Sequence, residues 1–319
     1  MGGLMSSDRP ILLAPAGSFE MGKVALEAGA DEVFAGLKGF SRRGFEYELT
    51  VDDVLTLSEF ALSHGKSVRL AINTYPDDYF EEKLLEDVAE CIEGGIFTII
   101  LNDPSLCKLL HNRFPDVDIF VSVGASIINR HDIFFWEVTG ATGVVLLCNV
   151  EPKMIKLISQ QSKLKLEILV HANRDFTYLG KCWISSYLAS KIIKHGILTK
   201  IEGSPNRGGI CYRVCRKKWQ LNSDNKRKTD LPNECRLIGM ELKDYSDAGV
   251  TCFKIQGREY STSLVRDMVL FYRRLIDAIS YNDYIDKDLI YEDLISLGKI
   301  RDIERSARTS VLMNFAMRG

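Results

Sequence analysis

ILLAPAGSFEMGKVALEAGADEVFAG, residues 11–36, contains one complete strand–helix–strand unit. Ile11–Ala14 is a short, unbroken apolar run, the pattern of a strand buried on both faces. Pro15-Ala16-Gly17 ends it, and Ser18 stands where an N-cap residue belongs, with Glu20 in the first turn of a helix over Phe19–Ala28. Glu32–Gly36 then returns as a second apolar strand.

The same alternation continues outward from this unit. Further strands are expected at Ser67–Asn73, Phe97–Leu101, Ile119–Val123, Gly143–Leu147, Leu166–His171 and Cys252–Gln256. Helices are expected at Val51–His64, Glu81–Glu93, Pro104–Arg113, Arg130–Thr139, Pro152–Gln160, Leu237–Asp247 and Ser263–Ser280. Strands each followed by a helix, eight times over, predict an α/β chain folded as a (β/α)8 TIM-like barrel. An open doubly wound sheet is the alternative, but no glycine-rich dinucleotide fingerprint follows the first strand. The chain divides into a tail (1–10), a barrel (11–281) with a cysteine-bearing insertion (172–236) after strand seven, and a charged helical extension (282–319).

Composition narrows the function classes. The 319 residues are 46% hydrophobic and 26% charged with a formal net charge of −2, so no global basic field argues for nucleic acid. No apolar run is long enough to span a membrane, and residues 1–9 have no signal-peptide pattern. Eight cysteines without such a signal predict a reducing, cytoplasmic setting. There is no Gly-x-Ser-x-Gly elbow, His-Glu-x-x-His or Walker loop, which counts against serine hydrolase, zinc protease and nucleotide hydrolase readings.

Four cysteines fall within the insertion, spaced Cys182-x28-Cys211-x3-Cys215-x19-Cys235. Soft thiolates gathered from one loop-rich segment suit a metal centre, and Arg216 beside Cys215 favours the thiolate form. A [4Fe–4S] cluster is the preferred occupant; structural zinc, which usually takes two short cysteine pairs, is the alternative, and a metal-free insertion stays open. Cys91 and Cys107 read as small buried hydrophobes.

Barrel chemistry sits at the C-terminal strand ends. That rule selects His171 as an acid/base or orienting group, and Arg42, Arg43 and Arg258 as candidates for a clamp on a carboxylate or phosphate. Asn73, Asn102, Lys38 and Gln256 are candidate substrate contacts at the same mouth, though Asn73 and Asn102 equally suit helix caps. Lys217-Lys218 and Asn225–Lys228 are basic runs that suit a solvated loop or an RNA phosphate contact.

Several motifs, in order, resemble peptidase family U32. They are Leu12–Gly17 and Ala28–Phe34; His171-Ala172-Asn173; Tyr178–Cys182; Asn206–Cys211 with Cys215-Arg216; and Ala248-Gly249-Val250 with Phe253–Arg258. The resemblance runs from about Ile11 to about Ile279, and of the three candidate arginines it also places basic residues at Arg43 and Arg258. It implies a [4Fe–4S] cluster on Cys182, Cys211, Cys215 and Cys235, and an oxygen-independent hydroxylation for which prephenate is the implicated oxygen source. Family acceptors include the ubiquinone ring and tRNA or rRNA bases. The short chain is similar to the ubiquinone-pathway members, which implies a small aromatic or related metabolite as substrate and a heterodimer with a second U32 protein. RNA modification and the peptidase activity of the family name are the alternatives. Gln256 stands where the family's Lys-Ile-Glu-Gly-Arg has its glutamate, which changes the mouth rather than the fold.

Overall fold

The computed structural model describes residues 9–147, 150–173, 213–216, 218–220, 228–230 and 235–316. Within them the order is β1 (Ile11–Ala16), α1 (Phe19–Glu27), β2 (Glu32–Gly36), α2 (Val51–Ser63), β3 (Ser67–Ile72), α3 (Asp78–Glu93), β4 (Thr98–Leu101), α4 (Pro104–Arg113), β5 (Asp118–Val121), α5 (Arg130–Thr139), β6 (Gly143–Leu146), α6 (Pro152–Ser159) and β7 (Lys165–Asn173). The insertion contributes a 3-10 turn (Val214–Arg216) and short strands β8 (Lys218–Gln220), β9 (Lys228–Asp230) and β10 (Cys235–Leu237). Then come α7 (Leu242–Asp247), β11 (Val250–Ile255), α8 (Thr262–Tyr281) and α9 (Lys287–Ala316).

Strands β1 to β7 pair in sequence order and in parallel, and β11 closes the ring by pairing with both β7 and β1. The result is the expected eight-stranded (β/α)8 barrel. Its helices start where the sequence supplies oxygen acceptors for unpaired backbone N–H groups. Ser18, Thr50, Asp77, Asp103, Asn129 and Ser261 all cap this way, and Thr50 with Asp53 forms a full capping box.

Two apolar layers follow from strand alternation. Leu12, Ala14, Val33, Ala35, Leu70, Ile99 and their neighbours face the helices, while Leu13, Phe34, Ala71, Ile100, Phe120 and Cys252 fill the barrel. Charges share that interior. Arg69 pairs with Glu32 and Glu167, and Lys254 reaches the same Glu167 at 2.9 Å. Arg69 lies 4.4 Å over the Phe120 ring and Lys254 4.3 Å over Phe34, so each cation meets both a carboxylate and a π face.

One helix is shorter than the sequence suggests. Leu237 was expected to open a helix over Leu237–Asp247, but Cys235–Leu237 pairs antiparallel with β7 and Ile238 N–H donates to Val170 O at 2.9 Å. The helix starts only at Leu242, past Gly239. This pairing returns the insertion to the end of β7, with Cys235 opposite Asn173. No described helix is long and apolar enough to cross a membrane.

Candidate active site at the barrel mouth

Arg258 follows β11 and is buried against the first two strands. A Cβ on Gly17 would fall 2.0 Å from the Arg258 carbonyl oxygen, and one on Gly36 would fall 1.7 Å from its Nη1. At Gly17 only glycine admits the arginine backbone, while at Gly36 a Cβ would push the guanidinium aside. The same imagined Cβ on Gly36 lies 2.4 Å from Ser41 Oγ, so the hydroxyl and the guanidinium converge over β2. Ser41 is fully buried, and its hydroxyl has no hydrogen-bond partner among the described residues.

Asn102, at the end of β4, is 2% exposed. It caps nothing: Asp103 accepts the Ser105 and Leu106 N–H groups in its place. Both the oxygen and the nitrogen of the Asn102 amide are without a partner among the described residues. Asn73 is half-buried and accepts the Arg42 N–H at 3.1 Å, while α3 is capped by Asp77. Lys38 is exposed on the loop after β2, and Gln256 N–H donates to His171 O at 3.1 Å.

His171, a candidate acid/base or orienting group, is fully buried. A register shift between β7 and β11 makes Val170 an extra residue there. The His171 ring meets Tyr272 of α8 edge-on, with centroids 6.1 Å apart, on the helix side of the strand. Neither ring nitrogen has a partner among the described residues. Burial first, then Arg301, hold its pKa well below 6.5, so the ring is neutral.

Glu259, the residue after Arg258, was not among the candidates, and it collects Arg43 together with arginines from distant segments. Arg43 Nη1 donates to its Oε2 at 3.4 Å, and Arg213 of the insertion pairs with the same oxygen. Burial alone would push the Glu259 carboxyl up, but Arg43, Arg213, Arg308 and Arg258 together hold it at about 2. Helix α9 adds Arg301, Arg305 and Arg308 along one stretch. Arg301 donates to Tyr260 Oη at 3.1 Å, Arg308 to Glu46 Oε1 at 2.5 Å, and Arg213 to Thr309 Oγ1 at 3.4 Å. The spacing 301, 305, 308 is the one visible sign in the sequence, since residues three and four apart share a helix face.

Two of the four candidate cluster ligands fall within the described residues. Cys215 is half-buried in the turn tied to Glu259 through Arg213, between Arg213 and Arg216. Cys235 begins β10 at the end of β7. Thiols are the donors that a [4Fe–4S] cluster takes, and Cys215, next to Arg216 in sequence and partly exposed in a turn tied to the barrel, fits the group in its donor chemistry. Cys182 and Cys211 lie outside the described residues, as do Cys148 and Asn149. Cys91 and Cys107 are fully buried, and burial pushes both thiols up to about 12.

The comparisons agree with this architecture. A solved structure described as a U32 peptidase superposes with a TM-score of 0.52 over 81% of this chain and 96% of its own, at 14% identity, which speaks to the fold alone. The tRNA hydroxylation protein P1 of Bacillus subtilis is 26% identical over 286 residues, 85% of this chain and 64% of that protein. The 23S rRNA 5-hydroxycytidine C2501 synthase of Escherichia coli is 27% identical over 282 residues, 86% of this chain and 40% of that protein. The chain thus spans less than two thirds of either relative's length. The profile described as Peptidase family U32 matches residues 17–301, which establishes that the chain belongs to peptidase family U32.

Proposed function

We propose that this chain is an iron–sulfur-dependent, oxygen-independent hydroxylation protein of the U32 type. The observation that carries the reading is the pair of buried, unmet polar groups, Ser41 Oγ and the Asn102 amide, at the same strand ends as Arg258. Native structures rarely leave such groups without a partner, and a bound polar substrate supplies one. Arg258 and Arg43 would orient the carboxylate of a small oxygen donor such as prephenate, because a guanidinium fork binds it bidentately. Asn102, Ser41, Gln256, Asn73 and Lys38 would fix its polar groups. Cys182, Cys211, Cys215 and Cys235 would hold the cluster, which when bound supplies one-electron chemistry beside that donor. His171, neutral and buried, would shape the strand-seven end of the site rather than carry charge.

The relatives' names favour an RNA base as the acceptor. The second reading is a small aromatic or related metabolite, with the chain as one subunit of a heterodimer; the burial of Arg258, at 5% exposure, suits a small enclosed ligand. Peptidase chemistry has less support. Neither His171 nitrogen meets a nucleophile among the described residues, and the Cys91 and Cys107 thiols are held protonated. The test is to delete the gene and compare nucleosides of bulk tRNA and rRNA, and quinone-type metabolites, by mass spectrometry. Loss of one hydroxylated species, restored by the wild-type gene but not by Arg258→Ala, is expected. Unchanged hydroxylation in every fraction contradicts the reading.

A further inference from the structure

Arg305 of α9 presents a separate problem in electrostatics. It is 8% exposed, yet it makes no hydrogen bond or ion pair among the described residues, and its Nε is buried without a partner. Among the described residues, the groups that act on it most are Arg216, Arg301 and Arg213, which oppose its charge, and the Tyr260 hydroxyl, which favours it. Burial and then these like charges pull it down to about 9. Among the described residues, the carboxylates along this face are already engaged. Glu259 holds Arg43 and Arg213, Glu46 holds Arg308, Glu304 accepts both the N–H and the hydroxyl of Ser261, and Asp302 pairs with Arg301 from an exposed position.

A buried guanidinium in a shell of guanidinium groups costs stability, because desolvation and repulsion act together. The arrangement is built rather than incidental: α9 is seated by Arg301 on Tyr260, by Glu304 on Ser261, by Thr309 on Arg213 and by Arg308 on Glu46. Those contacts hold Arg305 between the helix and the 213–216 turn. Guanidinium groups that share one site match an oxyanion in charge, and each fork can donate to it bidentately.

We infer that Arg305, with Arg216 and Arg301, forms a second anion site, under α9, that binds the carboxylate or phosphate of a small molecule. The occupant neutralises the cluster and fastens α9 and the 213–216 turn to the barrel mouth. The site is distinct from the Arg43–Arg258 clamp and stands independently of the hydroxylation reading, since occupancy is read without turnover.

The experiment uses the full chain purified without oxygen, titrated with inorganic phosphate and separately with malonate, by calorimetry and by thermal unfolding. Wild type, Arg305→Met, Arg305→Lys and Arg258→Ala are compared. Saturable binding of at least one anion is expected in wild type, with Tm rising as the site fills and the effect weakening as salt screens it. Which of the two binds tells a phosphate site from a carboxylate site. Arg305→Met should bind at least tenfold more weakly and be no less stable than wild type without anion, because an uncompensated charge is gone. Arg305→Lys should retain part of the binding, and Arg258→Ala should retain it. Undiminished binding in Arg305→Met, or binding lost only in Arg258→Ala, overturns the proposal. So does a destabilised Arg305→Met in a protein that binds neither anion, since Arg305 would then be held by a carboxylate of the chain itself.

Discussion

Glu167 is the residue on which the barrel interior turns. It is fully buried and receives Arg69 Nη1 and Lys254 Nζ, each at 2.9 Å. Removing it leaves Lys254 without that carboxylate and Arg69 with Glu32 alone in an apolar interior, and breaking such a network costs about 3–5 kcal/mol. Glu167→Ala should therefore lose stability on that scale in urea unfolding; a loss below about 1 kcal/mol would show that water reaches the pair. Gly36 makes the opposite kind of prediction. An alanine there would drive its Cβ into Arg258 Nη1 and Ser41 Oγ. Gly36→Ala should weaken substrate binding at least about tenfold, roughly 1.4 kcal/mol, with a smaller effect on Tm, because both atoms are side-chain termini that can move. Equal affinity with lowered Tm would mean that Arg258 is only structural. Arg258 itself was legible in the sequence as a strand-end cation. Glu259 beside it was not, since nothing local says that Arg213 and Arg308 will arrive from distant segments.

At the scale of elements, apolar runs and caps located each barrel strand and the helix after it. Boundaries moved where tertiary pairing overrode local pattern, as at Leu237, which β7 recruits into β10. The tail from 282 onward read only as charged and helical. Its contribution became visible once the fold placed Arg301, Arg305 and Arg308 over the mouth, with Ile290, Leu294 and Leu297 packed inward. The junction of α9 with the mouth has a pH signature. The Glu259 carboxyl sits at about 2 against an ordinary 4.5, so its stabilisation is complete above about pH 4.5 and is lost as pH falls toward 2. The difference corresponds to roughly 3 kcal/mol. Wild type should lose Tm across that window more steeply than Glu259→Gln; parallel profiles would contradict the hold of these arginines on Glu259.

For the whole molecule, a net charge of −2 conceals how unevenly charge is distributed. Guanidinium groups from the loop after β2, the insertion, the segment after β11 and α9 gather at one end of a closed barrel. Composition cannot report that, because closure alone brings 43, 213, 258 and 305 together. The eight-unit rhythm made the barrel legible, and the ordered motifs made the family legible. The ligand set of the insertion rests on spacing and resemblance, with Cys235 opposite Asn173 at the end of β7 and Cys215 in the turn that Arg213 ties to Glu259. That set is the centre of the functional account. The measurement that tests it most directly is iron, acid-labile sulfide and zinc analysis, with the visible spectrum, of protein purified without oxygen, for wild type and Cys215→Ser. The account predicts about four iron and four sulfide per chain with a charge-transfer band, lost in Cys215→Ser. Stoichiometric zinc without iron would contradict it and make the insertion a structural metal site.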